Sequence, residues 1–287
     1  MRRFGDRNDG RRLRTVSPID IVCPFIMDRR TGCMNMISIP IKLDEIDKFL
    51  AAKRDEGYKG ISLMHVIVAS YIRAVSQYPA LNRYISGQRH FARNKIIVSL
   101  TIKQKMSIES PDTVIKVEFD PKDTIFDVYE KFNKEIETYR NSLDNDLDGT
   151  LNVLRYFPRF LLKFFISIIK SLDYFGFLPK FFENLSPFHS SIYITSLGSL
   201  GIPPVFHHLY DFGNVPIFIA FGAKYRKNEI DDEGNVQRRA YADMTFVLDE
   251  RICDGYYFAS SLKLFKKCFK NPSILETPPE TVVQDIK

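Results

Sequence analysis

The stretch from Ser62 to Tyr78 sets the strongest constraint on the fold. Val66, Ile67, Val68, Ile72 and Val75 put apolar side chains on nearly every side of a helix that Ser62 can cap and Pro79 stops. A helix without a polar face cannot lie on a surface; other layers of the core have to cover it. At 287 residues and 45% hydrophobic side chains the chain can supply such a core. No Pro/Ser/Gly-rich linker divides it and no repeat of solenoid or propeller period is present, so residues 15–275 are expected to form one domain. Residues 1–14 then read as a basic N-terminal arm and 276–287 as a tail.

Other segments carry clear local signals. Residues 44–54 place Ile46, Phe49 and Leu50 at helical spacing ahead of Gly57. Residues 95–103, rich in Ile and Val, read as a strand. Residues 124–140 carry Ile125, Val128, Tyr129, Phe132, Ile136 and Tyr139 as one stripe, with Thr124 and Asp127 arranged like an N-terminal cap. Strand patterns follow at 191–195, 217–225 and 239–248, the last two joined as a hairpin across a charged turn, 227–235, that contains Gly234. A final helix over 256–270 sets Phe258, Leu262, Phe265 and Phe269 on one face. Asp254 is placed as its N-cap, and Lys266, Lys267 and Lys270 suit its C-terminal end.

Two regions stand apart. After a polar, acidic loop at 141–149, residues 156–182 are the most apolar of the chain. Pro158, Lys163, Lys170, Asp173 and Pro179 interrupt them too often for a span of about 20 apolar residues. That leaves a helix buried against a partner subunit or an interfacial amphipathic helix on a membrane surface. The N-terminus concentrates Arg2, Arg3, Arg7, Arg11, Arg12 and Arg14 within a net charge of only +6. It reads as an exposed arm, either packed on a neighbouring subunit or offered to an anionic partner. No nucleic-acid module has recognisable spacing, so no nucleic-acid partner is expected. Cys23, Cys33, Cys253 and Cys268 lack zinc-ligand spacing, and no secretory leader opens the sequence. A reducing, cytoplasmic setting is therefore expected. His65, His90 and His189 have no partner pattern and read as structural, and no metal site is expected.

Asp249-Glu250-Arg251-Ile252-Cys253-Asp254-Gly255 follows the strand pattern Met244-Thr245-Phe246-Val247-Leu248. The heptapeptide resembles the Asp-His-Arg-x-x-Asp-Gly signature of the dihydrolipoyl acyltransferases of 2-oxoacid dehydrogenase complexes, relatives of chloramphenicol acetyltransferase, with Glu250 in the histidine slot. Pro79-Ala80-Leu81-Asn82 and Ile194-Thr195-Ser196-Leu197-Gly198 resemble further family segments in the right order. The resemblance spans most of residues 15–275. It implies an α/β fold with a mixed sheet flanked by helices, assembled as a homotrimer with sites between subunits. With no lipoyl domain in the sequence, it implies a stand-alone coenzyme A-dependent acyltransferase that uses acyl-CoA and a small-molecule acyl acceptor.

In the family, the signature histidine takes a thiol proton, a hydroxyl of a facing subunit steadies the tetrahedral oxyanion, and the signature aspartate holds the architecture. Carried over, Glu250 stands at the base position, Asp254 at the aspartate, and Thr195 or Ser196 at the hydroxyl. An unperturbed glutamate is a weaker base than histidine by about two pKa units, or about 3 kcal/mol; burial of the carboxylate would offset this. Arg251 would oppose it by pairing with Glu250. His207-His208-Leu209-Tyr210-Asp211-Phe212-Gly213 resembles the His-His-x-x-x-Asp-Gly signature of chloramphenicol acetyltransferase, one residue short. His207 or His208, brought from a facing subunit, is thus a second candidate base. Otherwise 249–251 form an ordinary charged turn, and the protein is a catalytically inactive trimeric binding or scaffold protein.

Overall fold

The all-apolar helix is enclosed on every side, as its sequence requires: Val66, Ile67, Val68, Ile72 and Ala74 are all fully buried. The computed structural model describes residues 3–103, 112–142 and 157–287. In chain order the strands and helices are β1 (Gly10–Arg12), α1 (Pro18–Ile26), β2 (Met34–Lys42), α2 (Asp44–Asp55), α3 (Leu63–Gln77), β3 (Arg83–Ser86), β4 (Arg89–Arg93), β5 (Ile96–Lys103), β6 (Asp112–Phe119) and α4 (Ile125–Ser142). After them come α5 (Arg159–Phe175), α6 (Lys180–Leu185), β7 (Ile192–Ser196), β8 (Ile217–Phe221), β9 (Tyr225–Ile230), β10 (Val236–Asp249) and α7 (Gly255–Lys270).

The main sheet has the order β2-β10-β8-β7-β5-β6, with β9 paired to β10. It is mixed, because β7 runs parallel to both β5 and β8 while the other pairs are antiparallel. One face carries Ile192, Ile194, Ile219 and Phe246 into a core shared with α2, α3, α4 and α7. The opposite face carries Tyr193, Phe218 and Val247, which pack with Leu209 and Val215 of the loop before β8. The chain therefore has an α/β fold with a mixed sheet, helices on one face and an extended loop on the other.

The helix starts follow the local chemistry. The Ser62 backbone N–H donates to His65 Nδ1 at 3.1 Å, closing a capping box at the start of α3. The Thr124 backbone N–H donates to Asp127 at 2.7 Å, and the Asp254 carboxylate accepts from the Tyr257 backbone N–H at 2.8 Å.

Three expectations change. The continuous strand over 217–225 is broken at Gly222, where a Cβ would lie 2.5 Å from Pro204 of the covering loop. The hairpin turn is shorter than 227–235, because β9 runs on to Ile230 and Asp231 accepts from the backbone N–H groups of Glu233 and Asn235 at 3.1 and 2.8 Å. The exposed basic arm is, over residues 7–13, laid on its own chain. β1 pairs with β4, Leu13 is buried, and the buried Arg7 reaches Asp173 at 2.5 Å. The last residues dock beside it: Arg83 pairs with Asp285, and the Lys287 carbonyl accepts from Arg14 and Thr15 backbone N–H groups at 2.9 and 3.0 Å. Most of the polar loop expected at 141–149 lies outside the described residues. Among those described, no helix is long and apolar enough to cross a membrane.

Candidate functional site

β10, one strand in from the edge strand β2, ends in the signature beside β2 and the C-terminal end of α1. Asp249 at its end is fully buried and accepts from Arg251 through both oxygens, at 2.8 and 2.7 Å. Arg30 approaches the same carboxylate at 3.4 Å. The two guanidiniums reach outward to the carbonyls of Met27 (2.7 Å), Tyr210 (2.5 Å) and Ile85 (3.0 Å). Burial, and then the neighbouring Arg251, lower the pKa of Arg30 despite Asp249; burial also lowers that of Arg251, but Asp249, with Cys33 and Asp211, raises it overall. The ordinary charged turn expected at 249–251 is instead a buried ion cluster that ties four segments together, with His90 Nε2 3.0 Å from the Arg251 carbonyl. Sequence alone hides this, because the same three residues can also sit in water.

Glu250 differs from both neighbours. It is half-buried, its backbone N–H donates to the Cys33 carbonyl at 2.9 Å, and its carboxylate makes no hydrogen bond or ion pair with the described residues. Arg251 is committed to Asp249, so the opposing pair with Glu250 does not form. The adjacent Cys33 thiol is pushed up, by burial first, with Asp249 and Glu250 adding to it against Arg251. Asp254 is exposed and serves as the N-cap of α7, the structural role its position predicts.

The other half of the site lies on the loop-covered face. Side chains alternate along a strand, so Thr195 shares the face of Tyr193, while Ser196 falls with Ile194 toward the helices. The neighbours of Thr195 in register agree: Ala220 pairs with Thr245, whose hydroxyl donates to the Val205 carbonyl of the covering loop at 2.8 Å. Two residues further along that loop, His207 stacks on Phe218 with centroids 4.3 Å apart. Its Nε2 is buried without a partner among the described residues. Burial, then His208, lower its pKa, which keeps the ring neutral. His208 is exposed and packs edge-on against Tyr210 at 5.2 Å.

Register separates the two halves within one chain. Thr195 is level with Thr245, five residues before Glu250, which is roughly 17 Å at about 3.4 Å per residue. His207, level with Val247, lies between them and makes no hydrogen bond to Glu250. Each half is bordered by exposed apolar side chains: Ile19, Phe25, Ile26 and Met36 on α1 and β2 near Glu250, and Leu200, Ile202, Val205 and Phe206 near Thr195.

A second buried ion cluster was not foreseen. Asp9 accepts from Arg93 (3.0 Å), Tyr84 (2.5 Å) and Asn214 (2.7 Å); burial raises its pKa, but Arg93, Tyr84, Arg7 and Asn214 together lower it overall. Its only signal in the sequence was the run of charged residues at the N-terminus. A cavity of about 730 Å³ opens beside it, lined in part by Lys95, Lys116, Lys134 and Glu183. Burial pushes Lys116 down to about 8, and burial, then Asp9, push Glu183 up to about 7. A smaller cavity of about 220 Å³ touches Arg30, Asp211 and Arg251. Neither contains Glu250, Thr195 or His207. Among the described residues no group of three or more His, Cys, Asp or Glu side chains could hold a metal ion.

No family model and no curated protein matches this sequence. Solved structures do match the fold. A probable dihydrolipoamide acetyltransferase from Listeria monocytogenes 4b F2365 superposes with a TM-score of 0.56 at 13% identity, over 90% of this chain and 94% of that one. The cubic core of a pyruvate dehydrogenase multienzyme complex gives 0.55 at 10% identity, over 90% and 88%. A truncated catalytic core of the 2-oxoacid dehydrogenase multienzyme complex from Thermoplasma acidophilum gives 0.54 at 12% identity, over 91% and 98%. The chain shares its fold with these three structures, as the motifs of the sequence implied.

Proposed function

We propose that this chain, sharing the acyltransferase fold, is a stand-alone coenzyme A-dependent acyltransferase that works as a homotrimer, with each site made by two copies. The separation of the half-sites carries this reading. Proton transfer needs heavy atoms about 3 Å apart, so groups roughly 17 Å apart on one chain serve one reaction only when different copies supply them. The two apolar borders differ from each other, and a contact between unlike patches forms a closed ring of copies when the rotation between them closes, as a threefold one does. A channel between copies also accounts for the lack of Glu250 and Thr195 in the two cavities described above.

In this reading Glu250 of one copy takes the proton of a small acceptor, which attacks the thioester carbonyl of acyl-CoA. The Thr195 hydroxyl of the next copy donates a hydrogen bond to the tetrahedral oxyanion. Collapse expels the coenzyme A thiolate, which recovers the proton from Glu250. His207, neutral and with a free Nε2, is the second candidate for the base.

One observation favours a second reading, a binding or scaffold protein without catalysis. No hydrogen bond within the described residues orients the Glu250 carboxylate, whereas a working base is usually held by a further group. Calorimetric titration with coenzyme A separates the two. Saturable binding near one site per chain, followed by acetyl-CoA turnover that Glu250→Gln removes, is expected for the enzyme. Absence of binding at millimolar ligand assigns the chain to the scaffold class.

A further inference from the structure

We infer that α5 and α6 form a docking surface for an anionic lipid bilayer, on which the protein lies without crossing it. Phe160 and Phe177 are each 73% exposed, and Phe175 and Phe181 each 68%. At about 100° per residue Phe160, Phe164, Ile168 and Phe175 fall within roughly 80° of one another on α5. The same surface continues past the left-handed Gly176 (φ 80°) onto Phe177, Phe181 and Leu185. Such an exposed aromatic face is foreign to a surface that stays in water.

Charge identifies what covers it. Arg159, Lys163 and Lys170 lie within roughly 40° of one another along the side of the aromatic stripe, and all three are exposed, as is Lys180 on α6. The only carboxylates of α5 and α6, Asp173 and Glu183, are each 6% exposed and turned inward. Asp173 is held by Arg7 at 2.5 Å and by His189 at 3.4 Å, which fixes the helix from behind. The outward face of these two helices therefore pairs an apolar stripe with cations and no carboxylate of its own, Asp28 and Asp211 approaching only Lys170 across the small cavity, which is the arrangement by which interfacial helices bind anionic headgroups.

The polar groups within the stripe are already satisfied. The hydroxyls of Ser167 and Ser171 donate to the carbonyls of Lys163 (2.8 Å) and Ser167 (2.9 Å), so burying them in the headgroup region leaves no donor unpaired. At 17 residues α5 is about 26 Å long, sufficient to lie in the interface plane and shorter than a bilayer core of about 30 Å.

Co-sedimentation of the full chain with vesicles tests this without reference to acyl transfer. Binding is expected to vesicles of phosphatidylcholine with one third phosphatidylglycerol, and to weaken about tenfold or more on pure phosphatidylcholine or in high salt. The double variant Phe164→Glu with Phe175→Glu should lose binding with unchanged circular dichroism and solution mass. Absence of binding by the natural chain, or retained binding by the variant, overturns the inference. A variant that instead dissociates an oligomer formed by the natural chain also overturns it, by assigning the face to a second copy.

Discussion

Of the apolar surfaces that lie open on one copy of this chain, those of α1 with β2 and of α5 with α6 differ most in their surroundings. The surface of α1 and β2 borders Glu250 and includes β2, an edge strand of the main sheet. The surface of α5 and α6 is bordered by exposed cations, and α5 meets the signature only from its inner side, where Lys170, Asp173 and Tyr174 share the small cavity with Arg30 and Arg251. Hydrophobicity alone says that each is covered; the groups around it say by what. An edge strand beside the proposed half-site suits another copy of the chain. A cationic rim without carboxylates suits anionic headgroups.

Behind each surface stands a buried carboxylate, and the strongest perturbation compares them. Asp249→Ala leaves Arg251 and Arg30 buried and uncompensated, a loss of about 3 to 5 kcal/mol expected in urea unfolding. Asp173→Ala should cost less, because Arg7 keeps Asp9 at 3.7 Å. Equal losses would mean that the two anchors are equivalent and the comparison is wrong.

A buried group away from both surfaces, at the start of α3 and packed on Tyr129 and Phe132, gives the next effect. Burial depresses the pKa of His65 to about 4, below the ordinary 6.5, so the unfolded chain takes up the proton first as pH falls. The contribution is full above pH 6.5 and is lost on the way down toward 4. Between pH 7 and pH 5 the natural chain should lose about 2 kcal/mol more stability than His65→Gln, whose amide can keep the reciprocal cap to Ser62. Matching urea midpoints for the two proteins at pH 5 and pH 7 alike would contradict the depressed pKa. The smallest effect belongs to the rim of the signature: Asp254→Ala should cost about 1 kcal/mol through the lost cap of α7. A larger loss would mean that Asp254 also supports the Glu250 surface.

What could be read from the sequence was local. The Ser62, Thr124 and Asp254 caps, the enclosed helix and the strand leading into the signature all follow from residues a few positions apart. α1, β1 to β4 and β6 are not read from the sequence; for β1, β3 and β4 the reason is that three to five residues carry little periodicity and β1 finds its partner only at β4. The two-residue turn Gly87-Gln88, both with positive φ, was the available hairpin signal. The distinction between Thr195 and Ser196 needed the register of β7 against β8, a long-range fact. The exchange of roles at 249–251, where Asp249 rather than Glu250 holds Arg251, depended on burial, which charge patterning does not reveal.

The central claim is that Glu250 and Thr195 meet only between copies. Chains carrying Glu250→Cys and chains carrying Thr195→Cys, co-expressed with different tags, should be joined by a short bis-maleimide into a product containing both tags. Neither variant alone should give that product, and Phe25→Glu on the α1 surface should abolish it. A mixture that yields no mixed-tag product, from chains that remain single in solution, would contradict the account.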